Sequence, residues 1–219
     1  MDYQGIKIDH FEHDAFRIKA GGKVIYIDPY NLKENQIEPA DYIFITHEHF
    51  DHCSENDLKK IISSKTIIIA SESCGLEQKF LSKFKVESLI FMGHGEAAEF
   101  DDLKVKAVPA YNLNKFRSAG AVYHPQKDGK VGYIIDFKGV KIYHAGDTDN
   151  IPEMAELKDI DVAMLPVSGT YVMTWQEAVE AAKAIKPKLA IPMHYGSIVG
   201  SEEDAKKFKE SAECEVEII

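Results

Sequence analysis

Three of the chain's nine histidines fall within six positions, in Thr46-His47-Glu48-His49-Phe50-Asp51-His52. Imidazole and carboxylate side chains are ligands for zinc, iron or manganese. Residues two apart on an extended segment point to the same side, which sends His47, His49 and Asp51 one way with His52 beside them. The segment follows an apolar run, Tyr42-Ile43-Phe44-Ile45, and precedes Ser54, a helix N-cap signal. It therefore reads as the connection at the carboxyl end of a buried strand, where α/β proteins commonly carry their sites. The spacing is not that of a helical HExxH site, and neither a GxSxG elbow nor a GxxxxGK[ST] loop occurs. Gly93-His94-Gly95 is too short a signal for a dinucleotide fingerprint, and His94 reads as a turn residue.

The elements that must position this cluster can be read from periodicity. Ile6–Ile8 and Phe16–Lys19 alternate, and Gly21-Gly22 turns into Val24–Ile27, a meander of antiparallel strands that Asp28-Pro29 ends. After the buried strand, a helix capped by Ser54 carries Leu58, Ile61 and Ile62, and Thr66–Ile69 forms a strand. A second helix is expected to carry Leu76, Phe80 and Phe84, and strands follow at Val86–Phe91 and Leu103–Val108. The later half repeats the plan. Val131–Phe137 and Val140–Tyr143 form a hairpin across Lys138-Gly139, and Asp161–Leu165 and Leu189–Ile191 are strands. Thr174 caps a helix presenting Ala178, Val179, Ala182 and Ile185 and stopped by Pro187; Ser201 caps the last helix, before Val216–Ile218.

No Pro/Gly/Ser-rich linker or short-period repeat interrupts this order, so the 219 residues read as one domain, 1–219, with two β-sheets inside and helices outside. Lys and Arg number 26 against 36 Asp and Glu, and a net charge of −10 makes the chain a poor counterion for phosphate backbones, so no nucleic-acid partner is expected. The first residues, Met1-Asp2-Tyr3-Gln4-Gly5, carry neither the basic nor the apolar stretch of a signal peptide, and the longest aliphatic run, Ile67–Ala70, is far short of the ~18 residues of a membrane span. Cys53, Cys74 and Cys214 show no CxxC spacing, so a cytoplasmic protein with reduced thiols and no membrane partner is expected. Oligomeric state is not legible.

His-x-His-x-Asp-His after an apolar strand resembles the metallo-β-lactamase superfamily. Gly146-Asp147-Thr148 follows a strand where that family supplies a metal-bridging Asp, and His194, after Leu189–Ile191, matches its last metal-binding His. Order and spacing agree over nearly the whole chain, which most resembles the compact branch containing L-ascorbate-6-phosphate lactonase and related metal-dependent hydrolases. The resemblance implies a four-layer αββα sandwich, two mixed sheets flanked by helices, with a dinuclear site between two β-rich halves. It implies His47, His49, Asp51, His52, Asp147 and His194 as metal ligands, two zinc ions with one ion, manganese or iron as alternatives, and Asp51 as a catalytic residue. One position departs. The family usually places a His in a Pro-Ala-x-His context, and here the text is Pro109-Ala110-Tyr111-Asn112. An Asn oxygen is a weak zinc ligand, and His124, just before Pro125, is the nearest later residue to fill the place.

Several neighbours keep two readings. Asp28 either orients a metal-bound imidazole or initiates a turn. His144, next to the Gly146-Asp147 loop, is more often packed than ligating. Cys53 reads as a small buried residue, and His10 and His13 as surface or core. Tyr195 contacts substrate or packs. Lys115 and Arg117 hold an anionic substrate group or are solvated. The leading function is a hydrolase in which metal coordination brings the pKa of water from 15.7 to about 7 and the resulting hydroxide cleaves an ester, lactone, amide or phosphoester of a small molecule. An iron-loaded redox protein and a catalytically weak metal-binding protein remain as alternatives.

Overall fold

The structure, a computed structural model, describes residues 1–75, 85–100 and 103–219. The helix expected over Leu76, Phe80 and Phe84 lies outside the described residues. The chain forms two compact units, Met1–Gly93 and His94–Ile219.

The first unit is built on a seven-stranded sheet whose strands lie in chain order: β1 (Asp2–Tyr3), β2 (Ile6–His10), β3 (Phe16–Ala20), β4 (Lys23–Ile27), β5 (Tyr42–Ile45), β6 (Ile67–Ser71) and β7 (Ser88–Met92). β1 to β4 pair antiparallel, and β4 to β7 run parallel. The uninterrupted apolar text of β5 has its expected cause, since all four of its residues are buried. Alternation sends Ile43 and Ile45 to one face, where they join Tyr26, Ile68 and the buried Leu58 and Ile61 of helix α1 (Glu55–Ile61). The Ser54 hydroxyl accepts the Asp57 backbone N–H and so starts α1 where the sequence placed it. Ile62 is the C-cap and packs, partly buried, against the same cluster.

The second unit repeats the plan. Its seven-stranded sheet runs β16 (Glu215–Val216), β15 (Leu189–Met193), β14 (Val162–Pro166), β13 (Val140–His144), β12 (Val131–Phe137), β9 (Leu103–Pro109) and β8 (Ala97–Phe100). β8, β9, β12 and β13 pair antiparallel, and β13 to β16 run parallel. A small hairpin, β10 (Phe116–Ser118) and β11 (Ala121–Val122), stands apart from this sheet. Neither it nor the short strands β1 and β8 follows from the periodicity, because two- to four-residue segments carry too little alternation to read.

Helix α2 (Trp175–Ile185) buries Ala178, Ala181, Ala182 and Ile185. The stripe is therefore i, i+3, i+4, i+7 and takes Ala181 where the text suggested Val179. α2 packs on β14 and on helix α3 (Glu202–Ser211), and α3 also touches β15. Two mixed sheets with few helices give the α/β class expected. In both units the parallel strands end on the candidate residues: Asp28 follows β4, Thr46-His47 follow β5, Asp147 lies beyond β13, Ser168 beyond β14, and His194 follows β15. Among the described residues no helix is long and apolar enough to cross a membrane.

Gly132 of β12 is demanded by close approach. A Cβ there would stand 2.7 Å from the carbonyl oxygens of both His144 and Ala145, the segment leading to Asp147. Because both obstacles are backbone, Gly132→Ala is expected to cost about 1–3 kcal/mol through enforced backbone movement. Urea unfolding should give a lower midpoint at unchanged slope, and a wild-type midpoint would refute the packing account.

Candidate metal centre

In the first unit the site residues hang on Asp28. This carboxylate is fully buried at φ 44°, a left-handed conformation uncommon outside glycine. Its Oδ1 accepts the Thr46 backbone N–H at 2.8 Å, and its Oδ2 accepts the Thr46 hydroxyl at 2.6 Å and faces His52 Nδ1 at 2.8 Å. Carboxylate oxygen only accepts, so His52 carries its proton on Nδ1 and presents Nε2 as the lone-pair nitrogen. The Thr46 hydroxyl also stands 3.0 Å from His47 Nδ1. His47 Nε2 and His49 Nδ1 come within 2.9 Å, and the rings of His47 and His52 are 4.0 Å apart. His47 and His52 are fully buried, whereas the side chain of His49 is 42% exposed.

Two residues join this group that periodicity did not single out. His13, at φ 58° in the β2–β3 connection, is fully buried and brings Nε2 to 3.2 Å from Asp51 Oδ2. Its carbonyl is held by His10 Nε2 at 2.8 Å, while the His10 ring stacks on Phe16. Asp14 is fully buried with Oδ2 4.0 Å from His52 Nδ1. The only written signal was a polar pair in a turn between two strands. Cys53 is half-buried against the α1 core, as a small packing residue should be. A hydrogen bond with Cys53, and then burial, push the Cys74 thiol well above its ordinary range.

In the second unit Asp147, 3% exposed, is divided between two imidazoles. Its Oδ2 is 3.3 Å from His124 Nε2 and its Oδ1 is 3.4 Å from His194 Nε2. His194 sits at φ 60°, and its Nδ1 is 3.0 Å from the Ser168 hydroxyl. Two atoms bound to one tetrahedral zinc at 2.0–2.1 Å stand about 3.3 Å apart, so each oxygen–nitrogen pair has the spacing of two ligands on one ion. Neutral imidazoles and carboxylates, oriented at their far sides by hydroxyl or carboxylate oxygens, form a donor set that fits divalent cations in both units. His144 Nδ1 accepts the Gly146 N–H at 3.2 Å, which shapes the loop carrying Asp147. His94 donates from Nε2 to the Lys130 carbonyl at 2.8 Å, a turn-holding role.

The Asn112 amide is held by protein partners at both ends. Its Nδ2 donates to the Tyr171 carbonyl at 2.8 Å and to Asp149 Oδ1 at 3.2 Å, and its Oδ1 accepts the His124 N–H at 2.9 Å. Lys115 is also occupied. Its ammonium meets Glu177 Oε2 at 2.7 Å and Asp149 Oδ1 at 3.3 Å, and its side chain is 12% exposed. Arg117 is exposed on β10, and Tyr195 is half-buried directly after His194. Burial, and then the charge of Glu202, raise the Tyr195 hydroxyl. Tyr111 donates to the Glu153 carboxylate at 2.9 Å, and burial together with that carboxylate push its hydroxyl up to about 12.

The sequence matches the β-lactamase superfamily domain over residues 7–194. It is 36% identical over 213 residues to the UPF0173 metal-dependent hydrolase of Nanoarchaeum equitans, covering 95% of this chain and 92% of the relative. The chain belongs to this family of the metallo-β-lactamase superfamily. Among solved structures it is similar to a metal-dependent hydrolase from Parabacteroides distasonis, with a TM-score of 0.81, 36% identity and coverage of 97% and 92% of the two chains. It is also similar to Igni18, a metallo hydrolase from Ignicoccus hospitalis, with a TM-score of 0.78, 25% identity and coverage of 98% and 94%.

Two expected outcomes follow from these contacts. Asp28→Ala removes the acceptor of three donors in a buried place and should cost about 3 kcal/mol in denaturant unfolding; a loss under about 1 kcal/mol would show that Asp28 does not organise the cluster. Burial alone would raise Glu177, but Lys115, Asn114 and the Thr174 N–H outweigh it and hold the carboxyl at about 2. Its folded value lies below its unfolded one, so its stabilisation is complete above the ordinary carboxylate range and fades as pH falls toward 2. The Tm gap between wild type and Glu177→Gln should therefore be largest near neutrality and shrink between pH 5 and pH 2.5, whereas a constant gap would contradict the pairing.

Proposed function

We propose that this chain is a metal-dependent hydrolase of a small molecule, acting as one catalytic domain over residues 1–219 with two divalent cations, zinc by preference. The observation that carries the reading is the division of the Asp147 carboxylate between His124 and His194, one oxygen to each. A carboxylate used this way suits two cations rather than one. We assign His47, His49, Asp51 and His52 of the first unit and His124, Asp147 and His194 of the second as metal ligands, with His124 and His194 serving different ions. The names of the relatives, metal-dependent hydrolases, support the reaction class.

Bound there, divalent cations supply a water whose pKa falls from 15.7 to about 7 and a Lewis acid for the substrate oxygen that gains charge. The chain's own groups do the rest. Asp51 orients the attacking water. Asp28, Thr46 and Ser168 hold the imidazoles of His52, His47 and His194 at their Nδ1 sides, so that ligand directions are set before substrate arrives. Two carboxylates, Asp51 and Asp147, offset cationic charge. Tyr195 contacts the substrate beside His194, and exposed Arg117 suits an anionic substrate group. Lys115, already balanced by Glu177 and Asp149, holds its loop rather than a ligand. The scissile bond is an ester, lactone, amide or phosphoester.

The test is metal analysis of the purified full chain together with hydrolysis of p-nitrophenyl acetate, a homoserine lactone, an anilide and bis-p-nitrophenyl phosphate. Two equivalents of zinc are expected, with activity on at least one probe that chelation removes, zinc restores and Asp51→Ala lowers at least about 100-fold. Hydrolysis unchanged by Asp51→Ala would overturn the reading, and iron with visible absorbance would overturn zinc.

A further inference from the structure

The loop after β9 departs from a plain ligand-bearing strand end in a way that explains itself once its partners are traced. Asn112 and His124 are 5% and 1% exposed. They are joined twice through the main chain of His124: Asn112 N–H donates to the His124 carbonyl at 2.8 Å, and His124 N–H donates to Asn112 Oδ1 at 2.9 Å. Both backbone polar groups of His124 are thus taken by one residue. The orientation of the Asn112 amide is dictated by its partners, because a backbone N–H can only donate to Oδ1 and the Tyr171 carbonyl can only accept from Nδ2. Asn112 is itself fixed by Asp149, a buried carboxylate that also accepts the N–H groups of Leu113 and Asn114 at 2.7 and 2.9 Å. Pro125 restrains His124 from the other side, since a residue before proline is held to extended backbone. The imidazole so placed has its Nε2 3.3 Å from Asp147 Oδ2.

We propose that Asn112 is a positioning residue that seats His124 as a metal ligand, so that the ligand lost at position 112 is supplied twelve residues later by a side chain that position 112 holds in place. The proposal rests on the two-cation reading above. Its consequence is selective: the cation that depends on His124 depends on Asn112 as well, and the cation beside His194 does not. Asn112 needs both ends of its amide for this. The oxygen grips His124, and the nitrogen anchors that grip to Asp149 and Tyr171. An alanine has neither, and an aspartate puts an acceptor where a donor is required, next to the Asp149 carboxylate.

The experiment is Co(II) titration of the metal-free full chain against a competing chelator, with the visible d–d spectrum followed. Wild type is expected to bind two equivalents. Asn112→Ala should weaken one equivalent by about 10–100-fold and leave the other within about threefold, the scale of losing a ligand's orienting partner. His124→Ala should weaken the same equivalent and remove the same spectral band. Adding Asn112→Ala to His124→Ala should cause little further loss, the non-additivity of two residues acting through one contact. If Asn112→Ala does not fold, by circular dichroism and melting, the isosteric Asn112→Asp replaces it with the same expected selective loss. Two equivalents of wild-type affinity in the Asn112 variant, or an equal loss of both that persists additively in the His124→Ala background, would overturn the proposal. Wild-type protein that binds no cobalt would instead overturn the two-cation reading itself.

Discussion

Buried carboxylates set the terms for this protein. Asp14, Asp28, Asp147 and Asp149 are each no more than 3% exposed. An ionised carboxylate taken out of water costs several kcal/mol unless donors surround it in good geometry. Asp28 collects the Thr46 N–H, the Thr46 hydroxyl and His52. Asp149 collects two backbone N–H groups, the Asn112 amide and the Lys115 ammonium. Satisfying these charges forces the chain into the turns that carry the histidines, so the electrostatic demand and the shape of the centre are one problem with one solution.

The solution has a repeated form. His47, His52 and His194 are each met at Nδ1 by an oxygen, from Thr46, Asp28 and Ser168. Holding one ring nitrogen decides which nitrogen the ring presents. His124 is fixed by another route, through its backbone, by Asn112. Left-handed backbone occurs at Asp28 and His194, each directly after a strand, and at His13 in the β2–β3 connection. Such conformations cost roughly 1–3 kcal/mol and persist where surrounding contacts over-determine them, which the hydrogen bonds of Asp28 and His194 do.

The loop of residues 111–115 gives the same lesson for charge. From the text Lys115 either holds an anionic group or is solvated on its loop. Its neighbours in space are Glu177, 62 positions away, and Asp149, 34 positions away. Glu177 also caps α2 through Thr174, so a single carboxylate starts a helix and pins the loop that bears Asn112. The capping box Thr174-x-x-Glu177 is a local pattern, but nothing local announces that Glu177 also pairs with Lys115. The charge balance between Lys115 and Glu177 exists only after β14 and α2 have been assembled.

What could be read from the text alone was whatever depends on neighbours in the chain. The period-2 strands, the caps at Ser54 and Thr174, and the grouping of His47, His49, Asp51 and His52 are short-range facts, set by rotation per residue and by hydrogen bonds spanning three or four positions. Asp147 and His194 were legible only through family likeness, because their spacing from the cluster carries no physical period. The tertiary structure alone decided that His13 and Asp14 stand beside the motif, that the Asn112 amide meets the His124 backbone, and that His124 faces Asp147. Each of those outcomes depends on where a polar group finds its partner once water is excluded, and such partners are chosen by proximity in space rather than by distance along the chain.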